Sequence, residues 1–159
     1  MGLEGNTQVA EFVKKINGSI GYVEITYAVS QKLRIATIQN NSGNFVSPTL
    51  DSVSSAAEID LPTDARKLIT DTDADYGYPI SGFTYLIFYK EQSYKNRTKE
   101  NAEALAQLLW WIVHEGQQYN KQMLYSPLPN QAVIRAENIL CSMTYNGTPL
   151  INRKIPLID

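Results

Sequence analysis

Residues 82–90 read Gly-Phe-Thr-Tyr-Leu-Ile-Phe-Tyr-Lys, with an apolar or aromatic side chain at most positions. Aromatic and β-branched residues favour strands, and a strand that is apolar on both faces belongs inside a sheet covered on both sides. We therefore predict a central strand over 82–90. Such a strand needs cover on more sides than one short chain readily provides, and uncovered apolar patches drive association.

Helical spacing of apolar residues predicts five helical stretches around this strand. They cover about 8–16, 27–31, 50–57, 99–124 and 130–143. Thr7 stands where the N-cap of the first helix would lie, and Asn17-Gly18 supplies its stop. The long helix is predicted to turn inward Ala102, Leu105, Ala106, Leu108, Leu109, Ile112 and Val113. Trp110 and Trp111 are adjacent, so they cannot both point inward.

Shorter strands are predicted at two further places. Residues 20–25 have strand composition, with Gly21 allowing close packing. Residues 34–39 alternate in strand fashion, 40–43 supply turn residues, and 45–46 return as the second strand of a hairpin. The stretch 58–77 is predicted to be irregular. Asn146-Gly147 is expected to turn the chain into an irregular tail.

Size and charge exclude several classes of protein. The chain has 159 residues, 43% of them hydrophobic, which suits one compact core or part of a larger domain. A net charge of -2 without a basic stripe gives no signature of nucleic-acid or anionic-membrane binding. The longest apolar run, 108–113, is far shorter than a membrane span. The first residues of the chain as given contain no secretory signal.

Two motifs resemble metal sites without completing them. His114-Glu115 begins like the zinc motif HExxH, but Gln118 stands where the second histidine must be. Asp71, Asp73 and Asp75 resemble the start of a calcium loop, because alternate carboxylates can converge on one cation. Tyr76 replaces the turn glycine of that loop, and Gly82 replaces its bidentate glutamate. No metal and no cofactor is predicted, and a solvated acidic loop is the favoured interpretation of 71–75.

No catalytic site is predicted either. Cys141 is the single cysteine, it can form no internal disulfide, and its apolar neighbours favour a packed side chain over a nucleophile. No nucleophile elbow such as Gly-x-Ser-x-Gly occurs. Gly5, Asn6 and Thr7, at the start of the first helix, form a weak candidate anion site through their backbone N–H groups, although Glu4 opposes it.

Four blocks, in this order, resemble the PstS family, the phosphate-binding proteins of ABC-type phosphate uptake. The blocks are 5–6 with 18–24 (Gly-Ser-Ile-Gly-Tyr-Val-Glu) and 27–28, 43–49 (Gly-Asn-Phe-Val-Ser-Pro-Thr) with 51–53, 78–85 (Tyr-Pro-Ile-Ser-Gly-Phe-Thr-Tyr), and 109–129. Together they span the chain from about Gly5 to Pro129. The resemblance is to the C-terminal part of the family.

The resemblance implies an α/β fold of the type II periplasmic binding protein kind, present in part. Residues of about 1–45 would end the second lobe, 46–90 would cross near the hinge, 91–145 would be C-terminal helices packed on the first lobe, and 146–159 would be a tail. The family's phosphate ligands include an Arg-x-x-x-Ser-Gly-Thr segment. Others lie on loops at helix N-termini in the first lobe. The resemblance places all of these ligands upstream of the part that this chain matches, and no Arg-x-x-x-Ser-Gly-Thr segment occurs here, so none of them carries over.

The resemblance further implies a non-enzymatic role as the substrate-binding component of a phosphate import system. The partners would be inorganic phosphate, through the full-length parent, and the permease of that system. The parent would be periplasmic or at the cell surface. An alternative hypothesis is an interaction or oligomerisation module that pairs with a separate N-terminal half or with itself.

Overall fold

The computed structural model describes residues 2–152, which form a mixed structure of helices and short strands. The helices are α1 Gly5–Lys15, α2 Ile25–Ser30, α3 Leu50–Ala56, α4 Lys99–Val113 and α5 Asn130–Cys141, with a 3₁₀ segment at Glu115–Met123. The strands are β1 Ile38–Gln39, β2 Phe45–Val46, β3 Thr144–Tyr145 and β4 Thr148–Pro149. None of the helices within 2–152 is long and apolar enough to cross a membrane.

The largest apolar cluster lies where α4 packs against α5. Ala106 and Leu109 of α4 meet Leu140 of α5 and Met143 just beyond it, and all four are buried. Thr98 caps α4, because its side-chain oxygen accepts a hydrogen bond from Asn101 N at 3.3 Å. The predicted inner face of the long helix is therefore correct at these positions, but Leu108 is 52% exposed and lies outside it.

The long helix ends about eleven residues earlier than its apolar pattern predicts. His114 leaves helical geometry with φ -119° and ψ -100°, and the chain continues as the tighter 3₁₀ segment. Gly116 is needed in this bend, since a Cβ there would lie 2.9 Å from the carbonyl oxygen of Trp111. The segment closes at Leu124, which adopts the left-handed conformation with φ 61°.

The N-terminal part of the structure is built on α1 and α2. Helix α1 starts at Gly5 with Glu4 in the N-cap position, so the prediction of Thr7 as the N-cap is wrong. The short helix predicted at 27–31 is present as α2, which begins two residues earlier, at Ile25. Gly21 lies against α1, where a Cβ would come within 2.8 Å of Val9 Cγ1, so the expected close packing at this glycine is confirmed.

Two antiparallel hairpins supply all the strands within 2–152. The predicted hairpin is confirmed as β1–β2, in which Ile38 pairs with Val46, although only 38–39 of the predicted 34–39 take part. In the second hairpin, Thr144 pairs with Pro149. Asn146 and Gly147, with φ 49° and 74°, form its turn. The prediction of an irregular tail is therefore wrong through Pro149, and residues 153–159 of that tail lie outside the described part.

The predicted strands at 20–25 and 82–90 are not formed. Both stretches lack a strand assignment, and Ile25 instead begins α2. The composition favours a strand in both cases, but a strand needs a neighbour to bond its backbone, and no other part of 2–152 lies alongside either stretch as a ladder partner. The prediction of a central strand at 82–90 is therefore wrong for residues 2–152.

Candidate functional site

The candidate anion site lies at the N-terminus of α1, where the first N–H groups of a helix have no partner within the helix. Gly5 and Thr7 are exposed, and Asn6 is half-buried. The side chain of Asn6 is already engaged, because its Oδ1 accepts a hydrogen bond from Glu24 N at 3.0 Å. Glu4 and Glu24 therefore both stand beside these three residues, and their charge opposes an anion.

The acidic loop closes over the first hairpin. Asp71 Oδ1 accepts a hydrogen bond from Asn41 N at 2.8 Å, and Asp73 Oδ1 accepts one from Asn41 Nδ2 at 2.7 Å. Buried Asn40 donates from Nδ2 to the carbonyl oxygen of Asp75 at 2.9 Å. The carboxylates of Asp71 and Asp73 thus hold the β1–β2 turn. Within the described residues, no group of three His, Cys, Asp or Glu side chains is arranged to hold a metal ion.

His114 joins the end of α4 to α5. Its Nδ1 lies 2.8 Å from the carbonyl oxygen of Trp110, which can only accept, so this nitrogen carries a hydrogen. Its Nε2 lies 2.7 Å from Glu137 Oε1, and the ring stacks on Trp110 with centroids 4.4 Å apart. The imidazole is a half-buried bridge between two helices and has no second histidine beside it.

Two arginines, Arg66 and Arg97, make hydrogen bonds to neighbouring groups. Arg66 Nε donates to Asp64 Oδ2 at 2.7 Å, and this contact raises the pKa of Arg66. Arg97 borders an open depression of about 450 Å³ lined by Tyr94, Lys95, Asn96 and Asn101. Its Nη1 donates to Tyr94 Oη at 2.9 Å, and its Nη2 to the carbonyl oxygen of Asn101 at 3.3 Å. Arg97 is thus held by its own neighbours, whereas Arg66 is paired with an acidic side chain and remains exposed.

Glu91 is a key anchor that sequence reasoning missed. Its carboxylate accepts hydrogen bonds from Ser93 N at 2.9 Å, Thr144 Oγ1 at 2.8 Å, Asn146 N at 3.0 Å and Gly147 N at 3.1 Å. These donors, with the Ser93 backbone first, lower the pKa of Glu91 to about 2. The Asn146-Gly147 pair was the available signal for the turn, but no local pattern connects it to a residue more than fifty positions earlier.

A second set of long-range contacts ties the N-terminal helices to the segment after α4. Tyr125 Oη donates a hydrogen bond to Glu24 Oε1, and this bond raises the pKa of Tyr125. Ser126 Oγ donates to the carbonyl oxygen of Leu50 at 2.5 Å. These bonds are few and polar, and both lie near the protein surface.

Segment 18–24 has one covered side and one bare side. Gly21 faces α1, and Ser19 and Val23 are half-buried. Between them, Ile20 is 98% exposed and Tyr22 is 90% exposed. Alternating burial of this kind is the period of a strand lying on a helix layer. Within the described residues, the outer side chains Ile20 and Tyr22 of this stretch are therefore almost fully exposed.

Segment 82–90 shows the same condition more strongly. Phe88 packs against the α4–α5 cluster, whereas Ile87 is 96% exposed and Leu86 is 56% exposed. Thr144 N donates to the carbonyl oxygen of Lys90 at 2.9 Å. From 82 to 88, no backbone N–H or C=O group makes a hydrogen bond within the described part of the chain. The backbone of 82–88 and the side chain of Ile87 are therefore uncovered within 2–152, whereas Tyr85 on the same face bonds the 65–67 backbone through its hydroxyl.

The total surface is larger than that of a compact monomer. The chain exposes 11322 Å² of solvent-accessible surface. A compact monomer of 17.9 kDa would expose about 8,000 Å². The eight residues outside the described part could supply only about 1,300 Å² of the difference, even at the value for an unfolded chain. About 2,000 Å² of excess surface therefore belongs to residues 2–152.

Comparison with known proteins gives consistent relatives. A phosphate-binding protein PstS from Methanocaldococcus jannaschii is 34% identical over 123 residues, which cover 72% of this chain and 32% of that protein. A phosphate-binding protein PstS from Xylella fastidiosa (strain 9a5c) is 32% identical over 142 residues, covering 86% of this chain and 37% of that protein. One from Pasteurella multocida is 30% identical over 135 residues, covering 83% and 38%. No protein-family model matches the chain.

The chain is therefore a relative of phosphate-binding proteins. The family that it resembles over most of its length is PstS, as the four sequence blocks predicted. The chain spans only about a third of the length of these curated relatives.

Proposed function

We propose that this chain is the C-terminal part of the substrate-binding component of an ABC-type phosphate import system, and that it lacks the main phosphate ligands. The observation that carries the proposal is the match to phosphate-binding proteins PstS over most of this chain but about a third of theirs. The absence of an Arg-x-x-x-Ser-Gly-Thr segment supports the second half of the proposal.

In this proposal the fold is part of a type II periplasmic binding protein. Residues of about 1–45 end the second lobe, 46–90 cross between lobes, and 91–145 form the C-terminal helices. The complete parent captures inorganic phosphate outside the cytoplasm and delivers it to the permease, and it catalyses no reaction. The few polar bonds between Tyr125 and Glu24 and between Ser126 and Leu50 support a boundary between two lobes.

Isothermal titration with inorganic phosphate tests the missing ligands. A buried dianion needs charge-assisted hydrogen bonds to offset its desolvation, and the chain alone offers no such set, so we expect no saturable heat. Micromolar or tighter binding by this chain would contradict the proposal. Thr7→Pro, which removes one backbone N–H donor in the first turn of α1, would then show whether Gly5, Asn6 and Thr7 form the site.

A chimera tests the phosphate role itself. The part of the Methanocaldococcus jannaschii relative that lies outside the match is joined ahead of this chain, and phosphate binding is measured by titration. We expect micromolar or tighter binding in the chimera and none in this chain alone. A folded, monomeric chimera that releases no heat with phosphate would contradict the proposed role.

The alternative, an interaction module, is favoured by a separate observation. Ile20, Tyr22 and Ile87 are each at least 90% exposed, and the surface exceeds that of a compact monomer by about a quarter after the allowance above. Patches of this kind drive association with a separate N-terminal half or with a second copy. Sedimentation velocity tests it, because a clean monomer at high concentration, with and without the separate half, would argue against the module.

A further inference from the structure

His114 and Glu137 join the end of α4 to α5 through a contact whose chemistry requires a proton. The ring Nδ1 lies 2.8 Å from the carbonyl oxygen of Trp110, and Nε2 lies 2.7 Å from Glu137 Oε1. A carbonyl oxygen and a carboxylate can only accept hydrogen bonds. Both contacts are therefore hydrogen bonds only when each ring nitrogen carries a hydrogen, and the contact joins an imidazolium to a carboxylate.

Loss of the Nε2 proton to solvent turns this attraction into a repulsion. The ring keeps its hydrogen on Nδ1, where the Trp110 carbonyl oxygen accepts it, so Nε2 is left with a lone pair. That lone pair then faces the Glu137 carboxylate across 2.7 Å, a distance that two acceptors do not hold without a hydrogen between them. The side chains of His114 and Glu137 are 24% and 19% exposed, so water reaches both.

Few other titratable groups stand near this contact. Within the described residues, Glu137 is the charged side chain that bonds His114. The last two turns of α4 contain no charged residue, and in the 3₁₀ segment the nearest one is exposed Glu115. On α5, Arg135 is two positions from Glu137 and therefore on another face of the helix, whereas the Cys141 thiol is one turn further along the same face.

The contact also fixes the start of the 3₁₀ segment Glu115–Met123. The carbonyl oxygen of His114 accepts a hydrogen bond from Gln117 N at 3.0 Å, which forms the first turn of that segment. Residues 125 and 126, which follow the segment, bond the N-terminal part of the structure. We propose that the His114–Glu137 contact is a pH-sensitive bridge. It holds the start of the 3₁₀ segment to α5 while the pair shares a proton, and it loosens that turn when the proton is lost.

Hydrogen–deuterium exchange tests the bridge at about pH 5.5 and about pH 9, on either side of the range in which imidazoles titrate. The amides of His114 and Gln117 are both bonded in this turn. After correction for the intrinsic effect of pH, we expect them to exchange at least about threefold faster at the higher pH. Nitrogen NMR of the ring should show a hydrogen on Nδ1 at both pH values and one on Nε2 only at the lower value.

Glu137→Gln is the matched variant, because an amide can bond either state of the ring. Its oxygen accepts from a protonated Nε2, and its NH₂ group donates to the Nε2 lone pair. We therefore expect slow exchange of the His114 and Gln117 amides at both pH values. The variant keeps Cys141, so an effect of that thiol would persist in it. His114→Phe makes no bond to α5 and should exchange fast in this turn at both pH values.

Three outcomes would overturn the proposal. The first is an equal corrected exchange rate at the two pH values in the unmodified chain. The second is a Glu137→Gln variant whose turn loosens at high pH as it does in the unmodified chain. The third is a ring with hydrogen on only one nitrogen at about pH 5.5.

Discussion

Segment 82–90 and helix α4 (Lys99–Val113) are close neighbours in the chain and are both strongly apolar, but they reach opposite states. Helix α4 buries Ala102, Ala106 and Leu109, whereas 82–90 leaves Ile87 almost fully exposed. A helix bonds its backbone within itself and needs a partner only for one stripe of side chains, which α5 supplies. A strand needs neighbours for its backbone as well. Within residues 2–152, α4 is therefore packed, whereas 82–90 has no strand neighbour.

Hydrogen–deuterium exchange gives the largest expected contrast between the two regions. Amides in the middle of α4 are hydrogen-bonded and lie beside the largest cluster, so they should open only with much of the structure. Amides of 83–88 have no bonded partner within 2–152. We expect the α4 amides to exchange at least about 10³-fold more slowly than those of 83–88 in the isolated chain. Equal rates would mean that α4 is not packed in solution.

Paired truncations should show the same contrast in stability. Met143 is fully buried in the α4–α5 cluster, so Met143→Ala should lower the free energy of unfolding by about 2–5 kcal/mol. Ile87→Ala should change it by less than about 0.5 kcal/mol, because the side chain has almost no contacts to lose. Guanidinium denaturation followed by tryptophan fluorescence measures both. A comparable loss from Ile87→Ala would contradict the bare face of 82–90.

The same contrast explains which parts of the structure can be predicted from the sequence. Helices α3 and α5 and the β1–β2 hairpin follow from local signals, such as Thr49 before α3 and the turn residues at 40–43. The break at His114 was missed, because the apolar pattern continues past it while the steric demand that selects Gly116 comes from the bend itself. Strand composition at 82–90 did not predict the structure of 2–152, because a strand also needs a neighbour to bond its backbone and that part of the chain supplies none.

The features of the candidate site could also be predicted only in part. The PstS resemblance rested on an ordered set of local blocks, and the relatives confirm it. Glu91 could not be found in this way, because its donors are spread from Ser93 to Gly147 and only the folded chain brings them together. Sequence patterns identify residues that need a hydrogen-bond or packing partner. They do not identify which distant residues meet in the fold.

Glu91 lies between segment 82–90 and helix α4. Replacing Glu91 should have the smallest effect of the three predictions, and that effect should depend on pH. Its pKa is lowered to about 2 in the folded chain, from a model-peptide value of 4.5. The unfolded state therefore binds more protons between these values, so the stabilising contribution of Glu91 is complete above about pH 4.5 and is lost as the pH falls towards 2. We expect Glu91→Gln to lower the denaturation midpoint at pH 6 and to reduce its further fall in acid.

Glu103→Gln is the matched control, since Glu103 is a partly exposed carboxylate on α4 that lies outside the hairpin and pairs with Lys99 at 3.3 Å. Asp64 and Glu100 also have lowered pKa values, so the relevant quantity is the difference between the two variants and not the whole acid slope. Acid should also speed exchange at the Gln92 and Thr144 amides, beyond the intrinsic effect of pH, because Glu91 holds the hairpin beside them. If the denaturation midpoints of Glu91→Gln and the unmodified chain change with pH in the same way, Glu91 does not anchor the hairpin. The backbone bonds of Thr144 to Lys90 and Gln92 would then be what connects segment 82–90 to the second hairpin.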